Sequence, residues 1–251
     1  KRYSKLTQIN IENVDELELK WKYETGRGGQ PMISWYFNPL VIRDKMYIPD
    51  PGVFSQDEMG VIAINAKNGS ELWKRTVKLS TVKDAQYLTR ANRGITYGKN
   101  RIYLSTYDAR IWSINATTGE LDTEFKDNAS SPGGYITTAD GDAGYYLSQA
   151  PIYIPKGLIK GDGPAKNHNV LIIGSSGGEH QVRGHISAFD ADNGELLWRF
   201  YTVPKPTDYG GDTWPTRKSG IFKDPYTRGG GAVWVTPAFD SKNGLVIFGT
   251  G

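Results

Sequence analysis

Short apolar runs recur along the chain, each closed by Gly, Asn, Asp or Pro. Lys45-Met46-Tyr47-Ile48, Arg101-Ile102-Tyr103-Leu104-Ser105, Val170-Leu171-Ile172-Ile173-Gly174 and Leu245-Val246-Ile247-Phe248-Gly249 are examples. β-branched and aromatic residues dominate them. Their length suits buried strands better than helices, which need about ten residues or more. No apolar stripe with a 3.6-residue period extends beyond about three turns. The best helix candidate is the short stretch Ile11-Glu12-Asn13-Val14-Asp15. The pattern predicts an all-β fold.

A repeat sharpens that reading. Gly60-Val61-Ile62-Ala63-Ile64-Asn65-Ala66-Lys67-Asn68-Gly69-Ser70-Glu71-Leu72-Trp73 is one copy. Arg110-Ile111-Trp112-Ser113-Ile114-Asn115-Ala116-Thr117-Thr118-Gly119-Glu120-Leu121 is a second, without the final Trp. Gly184-His185-Ile186-Ser187-Ala188-Phe189-Asp190-Ala191-Asp192-Asn193-Gly194-Glu195-Leu196-Leu197-Trp198 is a third. Each reads as an alternating strand, a turn ending in Gly and a second strand, the Gly supplying the positive φ of a tight hairpin. The turn glycines stand 50 and 75 residues apart. A unit of about 40–50 residues with four strands is the signature of a propeller blade. The longer interval predicts an insertion near Asp127–Tyr146 or Ile154–Asn169. A β-sandwich explains the alternation but not the recurring Ala-x-x-Gly-x-x-x-Trp unit. Trp73, Trp198 and Trp21 are expected to wedge between neighbouring blades, and Trp112 has no assigned place.

Composition removes several function classes. The 251 residues contain no Cys, which excludes disulfide scaffolds, thiolate metal sites and a cysteine nucleophile. The longest apolar runs are about four residues, far short of the ~20 of a membrane span. The net charge is +3, with basic and acidic residues interspersed. The doublets Lys1-Arg2, Lys74-Arg75 and Arg217-Lys218 are isolated, and nothing resembles an arm for nucleic acid.

The repeats resemble the tryptophan-docking motif of quinoprotein alcohol dehydrogenases, the PQQ-dependent eight-bladed propellers that include methanol dehydrogenase. The segments that carry the resemblance follow in the family's order. They are Arg2-Tyr3-Ser4-Lys5-Leu6-Thr7-Gln8-Ile9-Asn10, Asn92-Arg93-Gly94, Ser148-Gln149-Ala150-Pro151, Gly174-Ser175-Ser176-Gly177-Gly178-Glu179 with Val182-Arg183-Gly184, Gly229-Gly230-Gly231-Ala232-Val233-Trp234, and Gly249-Thr250-Gly251. At ~50 residues per blade, residues 1–251 amount to a partial β-propeller of about four blades, half of an eight-bladed ring. The expectation is therefore a fragment or one half of a split assembly, completed by the rest of the propeller.

The resemblance implies a cofactor site. PQQ is a flat ortho-quinone with three carboxylates, so its site needs cationic and hydroxyl partners at the edge and a flat surface below. Arg93 suits a carboxylate or quinone oxygen through its planar fork; its bland alternative is a structural salt bridge. Ser148 and Ser176 are candidate hydroxyl partners, and Gly177 and Gly178 allow close backbone approach. Trp234 is the implied floor for the ring. Glu179 is the implied metal ligand, since Ca²⁺ or a lanthanide takes carboxylate oxygens and would polarise the quinone carbonyl. Its bland alternative is an ion pair with Arg183. His168, His180 and His185 are read as non-ligands. The Asp base and a further Asn ligand are expected beyond Gly251.

Three departures from the family pattern stand out. Tyr87-Leu88 occupies the place of the vicinal cysteine pair before Asn-Arg-Gly, Tyr36 replaces a carboxylate, and Ala232 replaces a Thr. The resemblance implies oxidation of an alcohol by hydride transfer to metal-bound PQQ, with a cytochrome c or quinone as acceptor, in the periplasm or outside the cell. A homo-oligomer stays open. Two other readings keep the fold: a quinone-free enzyme such as tetrathionate hydrolase, and a non-catalytic scaffold resembling the bacterial outer-membrane assembly factor.

Overall fold

The alternating runs pair with their sequence neighbours, which is the cheapest way to satisfy strand hydrogen bonds through short connections. A computed structural model describes residues 6–26, 33–50, 52, 57–80, 90–214 and 224–251. Strands β2 (Leu40–Ile42), β3 (Lys45–Asp50), β4 (Glu58–Asn65) and β5 (Glu71–Lys78) form the first antiparallel sheet in chain order. The second sheet holds β7 (Ile95–Gly98), β8 (Arg101–Ser105), β9 (Arg110–Asn115) and β10 (Tyr135–Thr137). The third holds β11 (Ile152–Ile154), β12 (Val170–Gly174), β13 (His185–Asp190) and β14 (Leu196–Tyr201). Two strands, β15 (Ala238–Asp240) and β16 (Leu245–Ile247), begin a fourth. A short parallel pair, β1 (Ile33–Trp35) with β6 (Arg90–Asn92), links the approaches to the first two sheets. This is an open, partial β-propeller. The helix candidate at 11–15 is a single 3-10 turn, Val14–Glu16.

The repeat turns share one hydrogen-bond pattern. The Gly amide bonds back four residues: Gly69 to Asn65, Gly119 to Asn115 and Gly194 to Asp190, at 2.8–2.9 Å. The side chain of that first residue caps the amide two residues on, as with Asn65 to Lys67 at 2.9 Å and Asp190 to Asp192 at 2.7 Å. Each Gly has positive φ, 74°, 76° and 88°. A fourth copy, Asp240-Ser241-Lys242-Asn243-Gly244, makes the same bonds, from Gly244 to Asp240 at 2.8 Å and from Lys242 to the Asp240 carboxylate at 2.9 Å. It escapes the sequence pattern because Ser241 replaces the Ala and its flanking strands are only three residues long.

The hairpin expected after Gly119 is replaced. Leu121 makes one bridge to Ile114, and the chain turns away at Asp122 before β10 returns to complete the sheet. Asp122 anchors the detour, accepting from Gly134 through its carbonyl at 3.0 Å and pairing with Arg101 at 2.6 Å. The extra length between the second and third turns is thus shared by this detour and the strandless excursion 155–169.

The cores lie between sheets. One cluster joins Tyr47, Val61 and Ala63 of the first sheet to Ile102, Leu104 and Ile114 of the second. Another joins Tyr103 and Ile111 to Leu171, Ile173 and Phe189 of the third. A third joins Ile172, Ile186 and Ala188 to Val233, Phe239 and Val246. Face-to-face stacking of this kind is how a propeller protects the flanks of its blades.

Tryptophans occupy the seams as the repeat implies. Trp21 lies against Gly69, where an added Cβ would meet the indole at 2.7 Å, and its Nε1 donates to the Ala66 carbonyl at 3.0 Å. Trp73 repeats this on Gly119 and Ala116, with Nε1 at 3.3 Å from the carbonyl, and Tyr47 donates to the same oxygen at 2.9 Å. The second repeat lacks a Trp, and Ile136 of β10 takes its place on Gly194. There Tyr103 is the one donor to the Ala191 carbonyl among the described residues, at 2.8 Å. Around it Asp192 receives Arg101 at 2.8 Å, Lys99 at 3.1 Å and the Asn169 amide at 2.9 Å. Trp198 packs, partly buried, against the third cluster, as Phe239 and Val246 also do. Trp112 is buried against Tyr135, ring centroids 4.6 Å apart, and donates to the Thr106 hydroxyl at 3.2 Å.

Candidate functional site

The segments that precede the first strand of a sheet, or follow its second, meet at one end of the stacked sheets. Arg93 precedes β7, Tyr146 precedes β11, Gly177–Glu179 follow β12, and Gly230–Trp234 precede β15. Together with Gly251 they line a cavity of about 530 Å³. Arg93, Gly177, Gly178, Glu179 and Trp234, scattered over 142 residues, therefore face one space. Ser148 and Ser176 lie beneath its wall.

Backbone conformation forms the cavity walls. Gly177 has a φ of 107°, and a Cβ there would strike the Gly144 carbonyl at 2.3 Å. It opens a 3-10 turn, Gly178–His180, that carries Glu179 outward. Packed against this turn, Gly229, Gly230 and Gly231 all have positive φ, and a Cβ on Gly178 would meet Ala232 at 3.3 Å. Among the described residues no atom lies within 4 Å of an added Cβ at Gly230, which lines the cavity. Arg183 holds this glycine run. Its neighbouring backbone bridges to Gly230, and its guanidinium pairs with Asp208 at 2.5 Å and lies 3.8 Å from the Tyr201 ring centroid. The backbone bond from Lys205 and the ion pair with Arg183 hold the Asp208 carboxyl below the usual range. Ala232 and Gly251 exchange two backbone bonds of 3.0 Å, which fixes the last segment beside Trp234.

Trp234 is 43% exposed, an open indole surface rather than a core residue. The Arg93 guanidinium lies 4.9 Å from its ring centroid and 5.9 Å from that of Tyr36. No carboxylate pairs with Arg93 among the described residues; its bonds run to the Ser148 carbonyl, from the backbone amide at 3.0 Å and from Nη1 at 3.4 Å. The salt-bridge alternative for Arg93 thus finds no partner there. Tyr36, at the position where the resemblance leads one to expect a carboxylate, is 63% exposed.

Glu179 does not pair with Arg183, whose partner is Asp208. Its Oε1 accepts from the Tyr146 hydroxyl at 2.6 Å, and His180 Nε2 lies 3.9 Å from the same oxygen. Burial, followed by the bond to Glu179 and its charge, pushes the Tyr146 phenol up, with Arg93 opposing. The phenol is thereby kept as a donor. Tyr146 was not among the residues singled out in the sequence. The only signal was its position two residues before Ser148.

The hydroxyls of Ser148 and Ser176 are 3.1 Å apart and buried. Ser148 donates to the Trp234 carbonyl at 3.2 Å, and Ser176 to Gln149 Oε1 at 3.3 Å. Gln149 is fully buried and joins three segments: its amide donates to the carbonyls of Gly174 at 2.7 Å and Val233 at 2.8 Å. Its Oε1 also accepts from the Ser148 amide at 3.1 Å. Both serines therefore bond to protein partners under the cavity wall.

The three histidines have separate environments. His168 bonds to Asp190 at 2.5 Å, and His180 packs edge-on to Tyr146 at 6.3 Å. His185 is 3% exposed between Tyr145 and Tyr201, and burial, with Arg199 adding to it, lowers its imidazole to about 3. No group of three His, Asp or Glu side chains able to hold a metal forms among the described residues. Tyr87 and Leu88, at the place of the family's cysteine pair, lie outside the described residues.

Comparison with known proteins agrees on the family. The family model for the β-propeller domain of PQQ-dependent glucose, ethanol and alcohol dehydrogenases matches residues 1–251. The dehydrogenase subunit of a quinone-dependent alcohol dehydrogenase from Gluconobacter oxydans is 31% identical over the whole chain. A quinohemoprotein alcohol dehydrogenase of Pseudomonas putida, ADH-IIG, is 30% identical. The chain spans 31% of the length of each, about a third. Among solved structures, that of ADHIIG superposes with a TM-score of 0.68 at 27% identity, covering all of this chain and 32% of that one. A europium-containing methanol dehydrogenase has the same fold, with a TM-score of 0.69 at 23% identity over 95% of this chain and 38% of that one.

Proposed function

Since this chain belongs to the β-propeller family of PQQ-dependent glucose, ethanol and alcohol dehydrogenases, we propose that it is the part of such an oxidoreductase that carries the cofactor floor, an edge cation and one metal ligand. The supporting observation is the convergence of Arg93, Glu179 and Trp234 on one cavity of about 530 Å³. The donor set fits the group. Arg93 offers a guanidinium with no carboxylate partner among the described residues, Trp234 offers an open ring face, and Gly230 leaves room that a Cβ would take. The chemistry supplied by PQQ, when bound beside Ca²⁺ or a lanthanide, is hydride acceptance from the alcohol carbon.

This chain's residues orient and enclose. Trp234 stacks against a flat ring, Arg93 binds a carboxylate or quinone oxygen at its edge, and Gly177 and Gly178 let backbone approach it. Glu179 supplies a hard oxygen to the cation. Ser148 and Ser176, through their mutual bond, support the floor from below and reach the cofactor only if a hydroxyl turns from its present partner. The substrate is an alcohol, and electrons pass on to a cytochrome c or a quinone. A periplasmic or secreted location rests on the family resemblance.

The full-length protein, mixed with PQQ and Ca²⁺ or La³⁺ and freed of excess cofactor, should retain the quinone absorbance. Absence of a retained chromophore would defeat the reading. Trp234→Ala should weaken retention about three- to tenfold, the worth of one stacking contact.

A further inference from the structure

Glu179 rests on an exposed 3-10 turn, has no capping side chain and is 58% exposed at its side chain. Left alone, such a carboxylate samples many rotamers, and ordering one carries an entropic cost. The Tyr146 hydroxyl donates to its Oε1 at 2.6 Å. Tyr146 itself is held firmly. Its backbone bridges to Ser176, accepting from the Ser176 amide at 3.0 Å, and its ring packs on the core between the first two sheets. The polar contacts of Glu179 with Tyr146 and His180 both fall on Oε1, and Oε2 has no partner among the described residues.

We propose that Tyr146 is a positioning residue for Glu179: its hydroxyl pins one carboxylate oxygen to the rigid segment before β11 and leaves the other for a hard cation. The proposal rests on the cavity being the metal site of the preceding section. Tyr146 touches neither substrate nor metal in this role. It orders the ligand before the cation arrives, so that the ordering cost does not fall on binding. A hydrogen bond to a charged acceptor is strong enough for this.

The test uses the full-length, cofactor-free protein and two probes, Ca²⁺ by calorimetry and directly excited Tb³⁺ by luminescence, so that loss of a phenol does not alter the signal. Tyr146→Phe should weaken both ions about tenfold and leave the thermal midpoint of the metal-free protein nearly unchanged, because the ring still packs. Glu179→Gln should weaken them further. Unchanged or tighter binding in Tyr146→Phe, with binding lost in Glu179→Gln, overturns the positioning role alone. An unaltered titration in Glu179→Gln overturns the site itself. A fall in the thermal midpoint of Tyr146→Phe without a change in affinity shows the hydroxyl to be merely structural and also overturns the proposal.

Discussion

The seam between the first two sheets and the seam between the second and third solve one problem with different chemistry. In the first, the Ala116 carbonyl has two donors, Trp73 and Tyr47, and an indole covers Gly119. In the second, the Ala191 carbonyl has one donor among the described residues, Tyr103, and a smaller Ile136 covers Gly194. An ionic cluster of Lys99, Arg101, Asp122 and Asp192 borders the second seam. A blade seam thus requires a closed carbonyl and a covered glycine, and the residue types that achieve this are interchangeable.

That contrast makes measurable predictions for unfolding of the full-length protein. The largest effect belongs to the aromatic seam. Trp73→Ala removes the indole from Gly119 and should cost about 3 kcal/mol, as large-to-small changes at packed sites do. A loss below about 1 kcal/mol would mean that Tyr47 alone closes the first seam.

Acid should act on the third sheet. Burial lowers the His185 imidazole to about 3 in the fold, below its ordinary value of about 6.5. The unfolded chain therefore takes up the proton first as pH falls. This contribution to stability is complete above about pH 6.5 and declines toward pH 3, by up to about 1.4 kcal/mol per pH unit. Replacing His185 with Gln should flatten that slope in urea titrations, and an identical slope in both proteins would show that other groups cause it.

The two carbonyls separate the seams more finely. Tyr103→Phe strands the Ala191 oxygen and should cost about 1–3 kcal/mol, whereas Tyr47→Phe leaves Trp73 on the Ala116 oxygen and should cost about 1 kcal/mol or less. Equal losses would erase the distinction. The smallest effect is ionic. Arg101→Met should cost about 1 kcal/mol at low salt and less at high salt, because its partners are partly exposed.

What the sequence made legible follows from locality. Turn glycines and docking tryptophans announce themselves within fifteen residues, so three repeats and the all-β class could be read directly. The fourth turn, Asp240–Gly244, could not, because its geometry depends on the Asx cap and the Gly while the visible pattern depended on Ala and Trp. The detour at Asp122 was also hidden, since its anchor Arg101 lies on another strand. In the cavity, Arg93, Glu179 and Trp234 were visible through ordered motifs. Tyr146 was not, because its partner is 33 residues away in sequence. Pairing of Glu179 with Arg183 looked plausible from their spacing, but the fold directs Arg183 to Asp208 instead.

Gln149 carries a consequence for how the molecule tolerates change. One amide accepts from two neighbours and donates to two distant carbonyls, so the approach to β11, the end of β12 and the stretch before β15 share a common rivet. A carboxylate of the same shape would have no protons to give, and the Gly174 and Val233 oxygens would repel it. The keel under the chamber is an isostere-intolerant point where a single-atom exchange, oxygen for nitrogen, loosens three segments of two blades at once.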